Sequence, residues 1–400
     1  MKKAFALLFI ILAGSVQAQA WKTLPKGVRI IGYRNVITSK VDSNFDRFRS
    51  ESPLGAQFRV DMNTINSITS GEAQNVLGPG FNNLVLGEYA VEADAQFNVQ
   101  GTGFGYGITD RVMFYAEISY WNANVNARLK RTQKNNYKET ANQLQNGTSI
   151  IDNTAAESLG NLPDINESFI QSVVTDYYGY KPIGRWQGAG YGDMETGVMA
   201  RVLDKGVWGV LLYPGVILPT GRVDDPDLLQ DVGFGDGQFD IFSEVATGYV
   251  LNDRFTFGTT LRYTHQIATD MKLRVPDSQD LTLSPDTGTF NVKYGDRINL
   301  MLNSTIRMND WISFTPVYRY MYQMPTTYKS EFSDANKYLG FNTDKQEHQV
   351  QLTTSFSSIT PFLKKQFVLP AQINMNLVQT IGGKNVPKVG RLELELRMLF

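Results

Sequence analysis

The last ten residues, RLELELRMLF, alternate without a break: Leu392, Leu394, Leu396, Met398 and Phe400 fall on one face, and Arg391, Glu393, Glu395 and Arg397 on the other. Side chains of a β-strand point to opposite faces in turn, so the segment predicts a strand with one apolar and one charged face. The same period recurs upstream. Ile298, Leu300, Leu302 and Ile306 alternate with Arg297, Asn299, Asn303 and Arg307, and Phe255, Phe257, Leu261 and Tyr263 with Thr256, Thr260 and Arg262. Phe239, Ile241 and Val245 alternate with Asp240 and Glu244; Val350, Leu352 and Phe356 with Gln349, Gln351, Thr353 and Ser355; Ile373, Met375 and Leu377 with Gln372, Asn374 and Asn376. A transmembrane barrel places such apolar faces against lipid and the polar faces in a lumen. A soluble sandwich turns the apolar faces onto each other. Alternation alone does not separate the two.

Connection lengths do. Short polar turns stand at Thr109-Asp110, Asp204-Lys205-Gly206, Asn252-Asp253 and Asn309-Asp310, each between two strand-like runs. Twelve strands result, over 27–38, 88–108, 110–131, 192–204, 207–219, 238–252, 254–273, 292–308, 311–328, 345–359, 366–381 and 388–400. With an even count both termini lie in the periplasm. The four turns, and a fifth connection near 360–365, then fall inside, while segments 39–87, 132–191, 220–237, 274–291 and 329–344 fall outside. Short inside and long outside is the rule for outer-membrane barrels. The pattern predicts an all-β fold, a transmembrane antiparallel up-and-down β-barrel of about 12 strands. A strand within 55–66 paired with another near 67–87 would make 14.

Composition narrows the function. The net charge is −1, so a nucleic-acid face has no electrostatic support and nucleic acid is not an expected partner. Cysteine is absent, which excludes disulfides, thiolate metal sites and cysteine nucleophiles. The two histidines, His265 and His348, sit in no metal-binding spacing, so no metal or cofactor is expected. No run of 18 apolar residues exists, which excludes a membrane-spanning helix. The N-terminus, MKKAFALLFIILAGSVQAQA, reads as a secretory signal over 1–20, with Lys2 and Lys3, an apolar core and cleavage near Ala20. WKTLPK (21–26), which follows, is too short for a plug domain. Trp208, Trp311, Phe255 and Tyr249 near the short turns, and Tyr120, Tyr320 and Tyr322 further up, suit headgroup level.

An exported chain that ends on an alternating strand and Phe400 resembles a Gram-negative outer-membrane barrel, whose terminal Phe is read by the assembly machinery. Further stretches, GFGYGITDRVMFYAEISY (103–120), GDMETGVMARVL (192–203), LPTG (218–221) and FGDGQFDIFSEVATGYVLNDRFTFGTTLRY (234–263), resemble one family. It comprises the outer-membrane transporters named for the meta-pathway of phenol degradation, FadL-like in kind. The likeness covers most of 88–265 and implies a barrel in the bacterial outer membrane that passes small hydrophobic or aromatic compounds. It carries over no catalytic residue. Implied partners are membrane lipid, lipopolysaccharide, the barrel assembly machinery and the solute.

With polar faces inward, the early strands bring Glu92, Asp94, Glu117, Asp193, Glu195, Asp240 and Glu244 to the lumen. Later strands bring Arg262, Arg297, Arg307 and Arg319, and the last brings Arg391, Glu393, Glu395 and Arg397. An acidic arc facing a basic arc would either orient solutes in a transverse field or form an internal salt-bridge network. Unpaired buried charge is costly and a small barrel brings its walls close, so the network is the preferred reading. In the outer segment 132–191, Ile165, Phe169, Val173 and Tyr177 recur at helical spacing. Phe169, Val173, Tyr177, Tyr178, Tyr180 and Trp186 are the candidate lining of an outer mouth that captures an apolar solute; a loop that only caps the barrel is the alternative. The acidic stretch 224–240 lacks EF-hand spacing and reads as a solvated loop.

The functional expectation is passive uptake of small hydrophobic or aromatic compounds, with a narrow diffusion pore for polar or charged solutes as the alternative. An enzyme is disfavoured, because neither histidine has a serine two residues away on its strand face. Nothing in the chain argues for an adhesin.

Overall fold

A computed structural model describes residues 21–64, 81–145, 156, 157, 159, 164–279 and 283–400. The expected export signal, 1–20, lies outside the described residues. Twelve antiparallel strands close into a ring: β1 (Arg29–Thr38), β2 (Val85–Thr109), β3 (Val112–Gln133), β4 (Met194–Asp204), β5 (Trp208–Leu218), β6 (Asp240–Val250), β7 (Phe255–Gln266), β8 (Arg297–Arg307), β9 (Ile312–Gln323), β10 (Lys345–Ser357), β11 (Ala371–Lys384) and β12 (Gly390–Leu399). Each pairs with its neighbour in this order. β12 closes the ring on β1, with Tyr33 opposite Leu396. At the seam the last residue is bonded both ways: the Phe400 amide donates to the Arg29 carbonyl at 3.0 Å and its carbonyl accepts from the Arg29 amide at 2.8 Å.

Burial separates barrel from sandwich. On β12 the charged Arg391, Glu393 and Glu395 are buried, at 6%, 1% and 6% exposure, whereas Leu394, Leu396 and Met398 are 39–45% exposed. Ile37, Leu261, Leu352 and Leu377 are 46–53% exposed on other strands. An apolar band outside and polar residues inside is the inverse of a water-soluble core and suits lipid.

The inner turns are built by side-chain acceptors. Thr109 Oγ1 accepts from the amides of Arg111 and Val112, and Asp204 from that of Gly206, whose φ of +76° glycine adopts without strain. Asn252 accepts from Arg254 and Phe255, and Asn309 from Trp311 and Ile312. An Asx or hydroxyl acceptor of this kind mimics a backbone turn and reverses the chain in few residues.

The structure corrects several boundaries. β7 stops at Gln266, β8 starts at Arg297 and β9 stops at Gln323. The runs beyond them, Thr269–Arg274, Thr287–Lys293 and Thr327–Lys329, form a separate three-stranded sheet over a core of Val275, Phe290, Val292 and Ala335. Two features end the barrel ladder here. Pro325 has no amide to donate, and the Asp296 carboxylate takes the Gln266 amide at 3.2 Å. Burial pushes the Asp296 carboxyl up, but hydrogen bonds from Tyr263, His265, the Gln266 amide and Lys293 outweigh it and hold the group at about 2. The fifth inner connection is longer than 360–365; it carries a helix, Ile359–Leu363, and β11 begins only at Ala371.

The strand foreseen within 55–66 exists, as Ala56–Asp61, but it pairs with Val85–Val91 of β2. A strand at Arg185–Tyr191 joins β3. Both extend the β2–β3 hairpin sideways, so fourteen strands share the sheet and twelve close the ring. The chain divides into two compact units. One holds the described residues up to Leu54 with Asp94–Val125 and Trp186–Phe400; the other holds Gly55–Ala93 and Asn126–Arg185. The second unit has its own core, in which Met62, Phe81 and Leu84 pack with Tyr137, Ala141, Leu144, Ala156 and Leu159.

Candidate functional site in the barrel lumen

The inward positions follow from parity along each strand. They bring charged side chains of the same and nearby strands together and pair them. Arg262 on β7 lies opposite Glu244 on β6 in register, 3.5 Å away, and reaches Glu195 on β4 at 2.6 Å. The Tyr115 hydroxyl also donates to Glu195, at 2.8 Å. The Arg262 guanidinium sits 3.7 Å over the Phe242 ring, a cation–π contact that holds its plane. Arg297 bonds Asp240 at 3.0 Å. On the seam, Arg34 bonds Glu395 at 3.3 Å, Arg391 bonds Glu393 at 2.6 Å and Arg397 bonds Glu395 at 2.8 Å. Asn374 and Asn376 donate to the same two glutamates. Opposite charges thus meet as hydrogen-bonded pairs, which offsets the desolvation of each.

The remaining candidates are scattered. Glu117 lines the lumen, half-buried, beside Arg34 and Arg262. Glu92 pairs with Lys130 at 3.2 Å, both more than half exposed, within the second unit, and Asp94 pairs with Lys40 at 3.4 Å. Arg307 is half-buried near the inner end of β8, opposite Ser313. Asp193 accepts from the backbone amides of Gly221 and Asp236 at 2.8 and 3.1 Å. Burial, then the charge of Asp236, pushes the Asp193 carboxyl up to about 6, and burial pushes that of Asp236 up as well.

Two cavities lie along the lumen. The larger, about 340 Å³, is lined by Arg34, Glu117, Glu195, Tyr213 and Arg397, with Met113, Met199 and Met301 among them. Gly32, Gly101, Gly103 and Gly105 flatten one wall of it. The smaller, about 80 Å³, is lined by Arg297, Arg319, Lys345 and Arg391. Glu244, Thr260, Arg262 and Met301 border both, so Arg262 and its carboxylates form the partition.

The inner end is crossed by the segment before β1, of which the sequence reading says only that WKTLPK is too short for a plug domain. Trp21 is fully buried against Leu211 and Ala246, and its indole N–H donates to Asp204 at 3.3 Å. Gly209 and Gly248 face each other in register beneath it. A Cβ on Gly209 would stand 2.2 Å from the indole, and one on Gly248 2.8 Å. Two bare backbones therefore make the slot the ring fills. Residues Lys22 to Pro25 then line the larger cavity.

Toward the outer end, the segment between β5 and β6 folds inward. Arg222 holds Asp231 with two bonds, 2.8 and 2.6 Å. Phe234 stacks on the inward-facing Trp121 (ring centroids 6.0 Å, 15°) and packs against Trp186 at 6.4 Å. The Arg222 guanidinium lies 4.9 Å over the Phe234 ring. Of the expected outer-mouth lining, then, Trp186 packs in the barrel unit, while Phe169, Val173, Tyr177, Tyr178 and Tyr180 belong to the second unit. There the expected helix spans Glu167–Ser172 and continues as a π-helical turn, Val173–Tyr177. Its buried face is Ile170, Val174 and Tyr178, one residue out of phase with the sequence reading; Phe169 and Tyr177 are exposed, and Tyr180 is buried.

Among the described residues no group of three or more His, Cys, Asp or Glu could hold a metal ion. No family model matches the chain. No curated protein matches it either. Among solved structures, an outer membrane channel from Pseudomonas putida F1 superposes with a TM-score of 0.55 at 12% identity, over 96% of this chain and 100% of that one. The CymD monoaromatic hydrocarbon channel and a TodX monoaromatic hydrocarbon channel mutant align at 8% and 11% identity, with TM-scores of 0.35 and 0.36, over 94% of this chain and 88% and 91% of theirs. The first of these likenesses is one of fold: the chain is a closed, antiparallel, twelve-stranded β-barrel, built as a known outer-membrane channel is built.

Proposed function

We propose that the protein is a passive channel for small aromatic or otherwise amphiphilic compounds. The observation that carries this reading is the cavity of about 340 Å³ inside the ring, whose wall mixes Met113, Met199, Met301, Tyr115 and Tyr213 with the charged pairs. That volume lies in the range of small-molecule sites and suits a one-ring solute with a polar group. The Trp121–Phe234–Trp186 contacts supply aromatic faces on the outer side of the cavity. The resemblance of 103–120 and 234–263 to the phenol meta-pathway transporters supports the same solute class. The apolar belt engages lipid and lipopolysaccharide, and Phe400 serves as the assembly signal.

A second reading has its own observation. The centre of the partition is the ion-paired group Arg262, Glu195 and Glu244, which favours polar or charged solutes over hydrocarbons. Uptake by liposomes carrying the refolded chain separates the two. Swelling or uptake with phenol-like solutes, exceeding that with glucose-sized sugars, supports the aromatic reading. Equal entry of sugars supports the polar pore, and entry of neither removes both.

A further inference from the structure

The smaller cavity carries an excess of positive charge. Five cationic side chains line it, Arg262, Arg297, Arg319, Lys345 and Arg391, against two carboxylates, Glu244 and Glu347. Most of these groups are committed. Arg262 serves Glu195 and Glu244, Arg297 serves Asp240, and Arg391 serves Glu393. Glu347 accepts from Gln349 and Thr380 at 2.7 and 2.9 Å. Glu393 on β12 is already bonded to Arg391 and lies 4.0 Å from Arg34.

Arg319 differs. Among the described residues its side chain makes no ion pair and no hydrogen bond, and its Nε is sealed from solvent without a partner. Its register neighbours are the neutral Met301 on β8 and Gln349 on β10. A guanidinium turned into a narrow lumen with no carboxylate bonded to it is costly, and an arriving anion relieves that cost. The planar fork of arginine donors matches a carboxylate in two parallel bonds. By the same measure one water needs roughly 10–15 Å³, so the cavity of about 80 Å³ has room for a carboxylate group with a few waters.

We propose that the pocket around Arg319 is a binding station for the carboxylate of small organic anions, so that the channel prefers aromatic and aliphatic carboxylates to cations and to neutral analogues. The inference rests on the passive-channel reading above and narrows its solute class. The Arg262 partition, which borders both cavities, passes such an anion toward the larger one.

The test is equilibrium dialysis of labelled benzoate against the refolded mature chain in detergent, with benzyl alcohol and benzylammonium as neutral and cationic controls. Saturable benzoate binding is expected, with neither control competing. Arg319→Gln should weaken it about tenfold or more, the loss of a charge-assisted hydrogen-bonding partner, and Arg319→Lys by less. A heat-dependent gel shift checks that each variant is folded. Benzoate binding that does not saturate in the parent chain overturns the proposal, as does equal binding by a folded Arg319→Gln or competition by benzyl alcohol. Planar-bilayer conductance reads the channel separately. A chain that conducts without binding benzoate loses the site and keeps the channel; one that binds benzoate without conducting or transporting keeps the site and loses the channel.

Discussion

Arg262 reaches past the strand beside it to bond Glu195 at 2.6 Å across two intervening strands. Its side chain is 5% exposed and that of Glu195 13%, so the pair is a strut across the lumen and not a surface contact. Arg262→Ala would leave Glu195 and Glu244 without their cation. Breaking a buried pair from one side costs about 3–5 kcal/mol. The expected result is a lower urea midpoint for loss of the heat-modifiable gel form, partly restored by adding Glu195→Gln and Glu244→Gln. Because the same residues divide the two cavities, conductance steps should also grow. An unchanged midpoint would mean that the strut contributes nothing net.

Trp21 and the facing glycines make a second expectation. Gly248→Ala places a methyl 2.8 Å from the indole, closer than carbon atoms tolerate, so the ring must leave its slot. Trp21→Ala removes the ring instead. Both variants should release the inner segment, speed tryptic cleavage after Lys26 and enlarge single-channel steps alike. If both retain the parent's cleavage rate and conductance, the segment does not narrow the lumen.

Much of this architecture was legible because a barrel strand repeats every two residues and a turn leaves a polar mark. β12 could be read from RLELELRMLF alone, and the four inner turns from their Asn, Asp, Thr and Gly. Strand ends beyond Gln266 were not legible. The alternation runs on through Thr269–Arg274, and only the pairing partner changes, which no local pattern records. The slot for Trp21 is hidden for the same reason: Gly209 and Gly248 are 39 residues apart in sequence and meet only in register. Arg34 is not among the expected lumen charges, although its even position puts it inside with Val36. The helix at Glu167–Ser172 was foreseen, but its π-helical continuation and the packing of Ile170 and Val174 put the buried face one residue away from the expected stripe.

The turn acceptors predict small, local effects. Asn309→Ala leaves the amides of Trp311 and Ile312 without their acceptor, and Asn252→Ala does the same to Arg254 and Phe255. Water reaches these exposed turns and replaces part of each bond, so a loss of about 1 kcal/mol per variant is expected. Asn→Asp at either position keeps the acceptor and should be neutral. Urea titrations of the parent and the two variants at each turn decide the matter; alanine and aspartate variants of equal stability would show that the strands alone set the reversal.

Asp193 gives the segment between β5 and β6 a dependence on pH. Its carboxyl takes the amides of Gly221 and Asp236, bonds that tie the segment down on either side of Phe234. Burial first, and then the charge of Asp236, push Asp193 up to about 6, whereas an unfolded aspartate titrates near pH 3.9. Between those values the folded chain holds a proton that the released chain has lost. The folded state then binds more protons, so stability falls as pH rises through this window and levels off above about 6. Asp236, also raised by burial, acts in the same direction. Hydrogen exchange of the amides at 219–239, corrected for its intrinsic pH dependence, should therefore show protection declining as pH rises from about 4 through about 6. Asp193→Asn removes the titrating group and should flatten most of that decline, since its carbonyl can still accept one of the two amides. Protection that rises with pH in the parent chain would reverse the sign and show that the two backbone bonds to the ionised carboxylate outweigh its burial.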